Sequence, residues 1–264
     1  MDKKQIDVSV IIPYYNANHC IERALSSINE QSFLPKEVII VDDCSDEACS
    51  LKFIEEKKSL YSFEIKLLYH KNNLGASAAR NTGIREARCL YVAFLDADDC
   101  WIEEKLEIQL KRIGEYDLLY SHYSESKSQI NQGKINQELI GHKEVSYFDI
   151  LKKNLSPVTL LAKRESLIFF DERFRRCDDF KMSIEALANG LKVGFLDFDV
   201  SYGFKKAIGE SGLTKSLVKM SISYLKACAY LIIEYPKLIF TMPLFILFEV
   251  FKFPIRCLKV YFIN

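Results

Sequence analysis

Apolar runs and helical patterns alternate through the first hundred residues of the chain. Residues 8–13 (VSVIIP) form a β-branched run typical of a strand buried on both faces. Residues 20–29 (CIERALSSIN) carry apolar side chains at spacings of three and four, and residues 37–41 (EVIIV) form a second apolar run. This order of strand, helix and strand predicts a right-handed βαβ unit and a parallel sheet.

The same cycle continues as far as an acidic segment at residues 96–99. Helices are predicted near 48–58 and 76–88, and strands near 65–69 and 90–95. The pattern indicates a doubly wound α/β fold, in which ligands bind beyond the carboxyl ends of the strands. Acidic residues follow two of the predicted strands, at 42–43 and 96–99, so we expect both clusters to face one crevice.

The pattern is looser beyond Trp101. We predict a strand at 117–122 and helices at 103–113, near 146–153 and at 181–189. The sequence has no internal repeat and no linker rich in proline, glycine or serine. The second half is therefore expected to pack against the first.

The last fifty residues differ from the rest in charge and hydropathy. From Lys215 to Asn264 there are seven lysines or arginines and two glutamates. The apolar run at 238–248 covers 11 residues, whereas a membrane-spanning helix needs about 20. We therefore predict a basic, amphipathic, helical tail that lies on an anionic membrane surface.

Composition excludes several classes of protein. With 264 residues and 49% apolar side chains, the chain is too apolar to be disordered. Its 36 lysines and arginines balance 36 aspartates and glutamates, which argues against a nucleic-acid partner bound through bulk charge. Eight cysteines without a CxxC pair argue against a zinc cage. The first residues show no signal-peptide pattern, so we expect a cytoplasmic location.

Three carboxylates stand within four residues at Asp96, Asp98 and Asp99. Alternate residues of an extended segment project the same way, so Asp96 and Asp98 are expected to point together while Asp99 turns into the next loop. Such a group repels itself unless a hard cation such as Mg²⁺ or Mn²⁺ joins it. The alternative is an acidic turn in which Asp99 caps a helix that starts near Ile102.

Two further segments carry candidate binding groups. A carboxylate at Asp43 has the position of the strand-end acids that accept hydrogen bonds from a base or a ribose; the alternative is that Ser45 or Asp46 caps the next helix. The small residues at 74–79 allow close backbone approach, and Arg80 follows them. Arg80 has the chemistry to bind a phosphate or an acid across the crevice, with a surface salt bridge as the alternative.

Four blocks stand in order along the chain: VSVIIPYYN (8–16), QSFLPKEVIIVDDCSDE (31–47), NNLGASAARNTGI (72–84) and YVAFLDADDCW (91–101). Together they resemble the family 2 glycosyltransferases of the GT-A fold. FDERFRRCDDF (170–180) resembles the segment that carries this family's acidic pair. The resemblance covers roughly residues 7–215 and implies a GT-A-type doubly wound mixed sheet, with a nucleotide-binding half and an acceptor half.

The resemblance implies a role for each matching residue. Pro13, Tyr15 and Asp43 would line the pocket for the nucleotide base and ribose, and Arg80 would contact the donor. The acidic cluster resembles the DxD motif: Asp96 and Asp98 would bind the donor, and Asp98 and Asp99 would hold Mn²⁺ or Mg²⁺. In the loop after the acidic pair, Lys205 or Lys206 would reach the donor diphosphate.

Asp179 resembles the catalytic base of inverting members, which removes a proton from the acceptor hydroxyl. The alternative is that Asp178 and Asp179 only cap the helix that follows. The chain departs from the family pattern at two positions, with Asp178 in place of glutamate and Cys44 in place of a turn glycine. It also lacks the QxxRW motif of the processive synthases, which favours transfer of a single sugar.

From these observations we expect an inverting transferase that uses a nucleotide-diphosphate sugar, preferably a UDP-sugar. The expected acceptor is a lipid-linked oligosaccharide of bacterial surface-polysaccharide assembly, at the cytoplasmic face of the inner membrane. The expected units are a catalytic domain at 1–215, divided near residue 105, and the tail at 216–264. A non-catalytic nucleotide-sugar-binding scaffold is the alternative; a nucleotidyltransferase would carry a glycine-rich basic loop that residues 14–18 lack.

Overall fold

The computed structural model describes residues 3–47, 51–130, 140–204 and 217–263. The strands in these ranges are β1 (Lys4–Tyr14), β2 (Phe33–Asp42), β3 (Glu64–Tyr69), β4 (Tyr91–Phe94), β5 (Cys100–Trp101), β6 (Leu118–Ser124), β7 (His142–Glu144), β8 (Leu161–Lys163) and β9 (Val193–Tyr202). The helices are α1 (Ile21–Asn29), α2 (Lys52–Lys57), α3 (Ala76–Glu86), α4 (Lys105–Leu110), α5 (Tyr147–Lys152), α6 (Asp178–Ala188), α7 (Leu217–Glu234) and α8 (Met242–Ile263).

The strands form one mixed sheet in the order β3-β2-β1-β4-β8-β6-β9-β5, and β7 pairs with β9. The first four strands of this order are parallel, whereas β8 runs antiparallel to both of its neighbours. The α/β mixed sheet predicted from the sequence is confirmed. Because the chain moves from β1 outward to β3 and then returns to β4 on the other side of β1, the strand order reverses beside β1. That reversal opens a crevice at the carboxyl ends of β1 and β4.

Both faces of the sheet are covered. Along β1, Ile11 belongs to one apolar cluster, while Val10 and Ile12 belong to the cluster on the opposite face; all three are fully buried. Successive side chains of a strand alternate between faces, which explains this division. Helix α3 lies close to β1 at Gly83, where an added Cβ would come within 2.4 Å of Cγ2 of Ile11. Only glycine allows this approach.

The C-terminal helices pack on the main body with one face. Buried side chains from α7, α8 and the turn between them join the cluster formed by α3 and α6: Ala227, Cys228, Leu231, Leu238, Met242 and Phe245. Lys181 of α6, only 2% exposed, forms ion pairs with Glu185 and with Glu234 at the end of α7. The predicted helical character of the tail is confirmed. None of the helices within the described ranges is both long and apolar enough to cross a membrane.

The predicted elements of the first half are confirmed within a few residues of their bounds. One of the alternative helix caps is wrong: helix α4 begins at Lys105 with Glu104 at its N-cap, so Asp99 does not cap it. In the turn after β2, the Ser45 hydroxyl accepts a hydrogen bond from the Asn16 amide, and the Asp46 amide donates one to the Asn16 side chain.

Candidate active site

A cavity of about 390 Å³ occupies the crevice beside β1. Its wall brings together seven of the residues that the sequence singles out: Pro13, Tyr15, Asp43, Arg80, Asp96, Asp98 and Asp179. They come from β1, from the loops after β2 and β4, and from the starts of α3 and α6. We call this cavity the cleft. The predicted Lys205 lies outside the described residues.

Arg80 joins the two acidic segments of the cleft. Its guanidinium donates to Asp96 over 2.8 Å and to Asp178 over 3.2 Å, and the residue is 7% exposed. Burial disfavours the charge, but the two carboxylates outweigh burial and raise the pKa of Arg80. Its Nε is buried without a partner among the described residues. Arg80 is therefore a fixed positive charge between the carboxylates rather than a surface salt bridge.

Asp179 stands at the first turn of α6. Its Oδ1 accepts a hydrogen bond from the Phe180 amide over 2.8 Å, and its Oδ2 accepts one from the side chain of Asn154 over 2.5 Å. Burial in the cleft wall and the neighbouring Asp178 raise the pKa of Asp179 to about 6, against the opposing effect of these donors and of Arg80. A carboxylate with this pKa is ionised at neutral pH and still basic enough to accept a proton.

The turn before α6 gives the acidic pair its position. Cys177 precedes the helix with φ 61°, a left-handed backbone conformation that residues other than glycine rarely adopt. Its thiol donates to the carbonyl of Met220 on α7 over 3.7 Å. Asp178 then turns toward Ser77 and Arg80, while Asp179 turns toward Asn154. The two carboxylates thus have different hydrogen-bond partners. If both residues only capped the helix, neither carboxylate would need these partners in the cleft.

Asp43 holds the loop before α3 in place. Its carboxylate accepts hydrogen bonds from the backbone amides of Leu74 and Gly75, over 2.9 and 2.7 Å. Nδ1 of His70 lies 2.8 Å from the same carboxylate, and its Nε2 lies 2.9 Å from the Thr82 hydroxyl. An ionised Asp43 only accepts, so Nδ1 of His70 carries the proton. His70 has no motif around it, and reasoning from the sequence missed its contact with Asp43.

The turn after β2 keeps the geometry of a glycine turn without the glycine. Cys44 has φ 65°, in the left-handed region that glycine adopts at no cost. The turn closes through a hydrogen bond from the Ser45 amide to Asp42 over 2.9 Å. The substitution at Cys44 therefore changes the strain of the turn rather than its course.

The acidic cluster after β4 divides between two surroundings. Asp96 and Asp98 line the cleft, whereas Asp99, implied by the resemblance as the second metal ligand, is not among the lining residues and accepts a hydrogen bond from the Tyr123 hydroxyl over 2.9 Å. No group of three or more metal-binding side chains is found among the residues that the structure describes. The cleft still has the chemistry for a hard divalent cation, because five carboxylates and two arginines line it.

Comparison with known proteins identifies the fold and the family. The family model of glycosyl transferase family 2 matches residues 9–169. The chain belongs to this family. It is therefore a glycosyltransferase with a GT-A-like fold. A structure of Staphylococcus aureus TarS 1–349 in complex with UDP-GlcNAc superposes with a TM-score of 0.67 at 23% identity, over 86% of this chain and 67% of that fragment. This likeness concerns the fold alone.

Curated relatives belong to bacterial polysaccharide biosynthesis. The chain is 31% identical to the Escherichia coli glucosyltransferase WfgD, over 68% of this chain and 69% of WfgD. It is 35% identical to the amylovoran biosynthesis glycosyltransferase AmsB of Erwinia amylovora, over 72% of this chain and 66% of AmsB. It is also 35% identical to the putative teichuronic acid glycosyltransferase TuaG of Bacillus subtilis, over 60% of this chain and 62% of TuaG. The chain thus spans about two thirds of the length of each.

Proposed function

We propose that this chain transfers one sugar, with inversion, from a nucleotide-diphosphate sugar to a hydroxyl of a lipid-linked oligosaccharide. The main observation in support of this proposal is that Asp98 and Asp179 line the same cleft. Arg80 spans the cleft between the segments of these two residues. This arrangement suits a donor held at one wall and an acceptor activated at the other.

In this proposal the donor lies against the strand ends. Pro13, Tyr15 and Asp43 line the base and ribose pocket, and Asp96 and Asp98 face the diphosphate. Asp98 and Asp99 are the residues that would hold Mn²⁺ or Mg²⁺. Such an ion neutralises the charge that develops on the diphosphate leaving group. Five carboxylates against two arginines in the cleft support this assignment, since an anionic donor would otherwise be repelled.

Asp179 is the proposed general base. Its carboxylate takes the proton of the acceptor hydroxyl as the hydroxyl oxygen attacks C1 of the donor sugar. The bond between C1 and the diphosphate oxygen breaks, and the electron pair leaves with the nucleoside diphosphate. A pKa of about 6 supports the role, because the base is ionised at neutral pH. Arg80 stays charged beside it and limits the repulsion between the two acidic segments.

A UDP-sugar is the proposed donor and a lipid diphosphate the proposed carrier of the acceptor. WfgD, whose name specifies UDP-Glc and GlcNAc-diphosphoundecaprenol, supports both assignments. TarS, with a similar fold, was crystallised with UDP-GlcNAc. The pathway proposed on this basis is bacterial surface-polysaccharide assembly at the cytoplasmic face of the inner membrane.

The tail is the proposed membrane contact, and residues 1–215 and 216–264 are the proposed catalytic and membrane-associating units. Large apolar side chains are exposed on α7, α8 and the turn between them: Val218, Ile222, Ile233, Ile239, Phe240, Leu244, Leu247, Val250, Phe251, Ile255 and Leu258. We call this set the apolar face. Basic residues in the same segment would complement anionic lipid headgroups.

The test is product formation from a panel of UDP-, GDP- and dTDP-sugars, with a sugar on an alkyl diphosphate as acceptor. The proposal expects one donor to give a single added sugar of inverted anomeric configuration, dependent on Mn²⁺ or Mg²⁺. Retention of configuration, or the absence of transfer from every donor, would contradict it.

A further inference from the structure

A second cavity, of about 500 Å³, lies on the other side of the segment 152–157 from the cleft. Strands β6, β7 and β9 and helix α5 contribute its wall. Three apolar side chains form part of that wall: Phe195 of β9, Val145 just after β7 and Leu155 in the loop after α5. Three lysines, two histidines and two carboxylates supply most of the remainder: Lys143, Lys152, Lys153, His122, His142, Asp149 and Asp197. We call this the basic cavity.

The segment 152–157 is a common wall of the two cavities. Lys152, Lys153 and Leu155 line the basic cavity, whereas Ser156 and Pro157 line the cleft. Asn154 lies between these two groups of residues and donates its hydrogen bond to Asp179. Asp179 and the basic cavity therefore lie on the two sides of one short segment, which Asn154 ties to the carboxylate.

Lys153 is turned toward the basic cavity. Its Nζ contacts Nδ1 of His122 and lies 5.2 Å from the centroid of the Phe195 ring. Nδ1 accepts from an ammonium group only when it carries no proton, so Nε2 carries the proton of His122 and donates to Asp197 over 2.8 Å. This chain of contacts holds a positive charge at the cavity wall.

The lysines of the shared segment lack carboxylate partners in the described part of the chain. Lys143, on β7, pairs with Asp149. No carboxylate of the described residues lies within ion-pair distance of Lys152 or Lys153. Burial lowers the pKa of Lys153, against the opposing field of Asp199 and Asp197. An anion in the cavity would offset this loss of hydration.

We propose that the basic cavity binds the diphosphate that joins the acceptor sugar to its lipid, with Lys152 and Lys153 as its cationic ligands. The inference rests on the proposed function, because it requires an acceptor hydroxyl at Asp179. Lysines bind phosphate oxygens as point charges, and the apolar wall at Leu155 and Phe195 suits the first carbons of the lipid chain. The site thereby selects acceptors that carry a charged lipid link over free oligosaccharides.

The test is calorimetric titration of the full chain with geranyl diphosphate, in the absence of divalent metal. The test variant carries Lys152→Gln and Lys153→Gln, and the control carries Lys36→Gln and Lys52→Gln, two exposed lysines on β2 and α2. We expect binding about tenfold weaker in the test variant and unchanged in the control. Equal binding by both variants would overturn the proposal, as would the absence of binding to the unsubstituted chain.

Titration with inorganic pyrophosphate shows whether the site prefers a lipid-linked diphosphate to a free one. We expect it to bind more weakly than geranyl diphosphate, because it makes no contact with the apolar wall. Equal affinity for the two ligands would overturn the assignment to the lipid link.

A third assay distinguishes failure of this inference from failure of the proposed function. It measures release of nucleoside diphosphate from the donor sugar, with metal and without acceptor. We expect the test variant to keep this activity while its KM for the alkyl-diphosphate acceptor rises. A fall in donor turnover equal to the fall in transfer would overturn the inference. Failure of the unsubstituted chain to turn over any donor would refute the proposed function, whatever the binding of geranyl diphosphate.

Discussion

The side-chain amide of Asn154 donates a hydrogen bond of 2.5 Å to Oδ2 of Asp179. This bond stabilises the ionised form of the carboxyl and lowers its pKa. Asn154 belongs to no sequence motif, and it lies after α5, far in the chain from the base. The contact therefore links the basicity of the proposed catalytic group to the segment 152–157, which lines both the cleft and the basic cavity.

Replacement of Asn154 by alanine is expected to raise the pKa of Asp179 further. The acidic limb of the pH dependence of kcat would move up by about half a pH unit to one unit, since one stabilising hydrogen bond is lost. Activity above pH 8 would change little. The control is Asn189→Ala, because that amide bonds to Glu185 and Tyr235 outside the cleft. An unchanged acidic limb would contradict the role of Asn154.

Asp179 itself is expected to affect stability in a pH-dependent way. Its pKa is about 6 in the folded chain and 3.8 in the unfolded reference. The folded state thus binds this proton more tightly, and the stability contributed by the protonated carboxyl is lost as the pH rises through about 6.

Asp179→Asn removes this ionisation. We expect its Tm to exceed that of the unsubstituted chain by about 5 °C at pH 8 and to match it near pH 4. Thermal unfolding at the two pH values is the measurement. Asp197→Asn, at an exposed carboxylate, is the control and should show no such crossover. Equal Tm differences at both pH values would contradict the assigned pKa.

Arg80→Met is expected to destabilise the chain strongly. It leaves Asp96 and Asp178 without their shared cation inside the cleft. Loss of one partner from a buried ion pair costs about 3 kcal/mol or more. Urea unfolding measures this loss, with Arg85→Met on the same helix as the control. A change below about 1 kcal/mol would place Arg80 among ordinary surface cations.

Cys44→Gly is expected to stabilise the chain by about 0.5 to 1 kcal/mol. A side chain at φ 65° costs about 1 to 2 kcal/mol, part of which the greater freedom of unfolded glycine offsets. Cys44→Ala keeps the strained backbone and removes only the thiol, so it should show no gain. Denaturant unfolding of both variants tests the strain, and a gain in the alanine variant alone would contradict it.

The proposed membrane contact through the apolar face predicts the effect of adding charge there. Phe240→Glu with Phe251→Glu places two charges at positions that are 87% and 67% exposed. We expect the fraction that sediments with anionic vesicles to fall at least about tenfold, because the burial of two aromatic side chains in the membrane is lost. Leu60→Glu, at a residue that is 72% exposed outside the tail, is the control. Vesicle binding that persists in the double variant would contradict the proposed membrane contact.

The strand ends could be predicted from the sequence because buried parallel strands read as continuous apolar runs. Residues 8–13 and 37–41 predict β1 and β2, and the polar residues that follow them had to lie at one edge of the sheet. Strand β8 could not be found in this way, because its three residues pair only through contacts distant in the chain. Strand β9 was missed although LDFDVS alternates apolar and polar residues, a period-two signal that was available.

The residues of the candidate site could be predicted from the sequence, but most of their hydrogen-bond partners could not. Motif spacing indicated which residues meet in the cleft, since each motif follows a predicted strand or begins a predicted helix. The side chains that form hydrogen bonds with these residues come from elsewhere in the chain. His70 on Asp43, Asn154 on Asp179 and Tyr123 on Asp99 are joined by tertiary packing, which leaves no local pattern in the sequence.

Asp98→Ala and Asp179→Asn, compared in donor binding and in turnover, separate the donor site from the base. Calorimetry with the preferred nucleotide sugar and Mn²⁺ measures binding, and release of nucleoside diphosphate in the presence of acceptor measures turnover. We expect Asp98→Ala to lose binding, whereas Asp179→Asn binds the donor normally and loses at least about a hundredfold in turnover. Normal turnover by Asp179→Asn would show that the cleft does not join a donor site to this base.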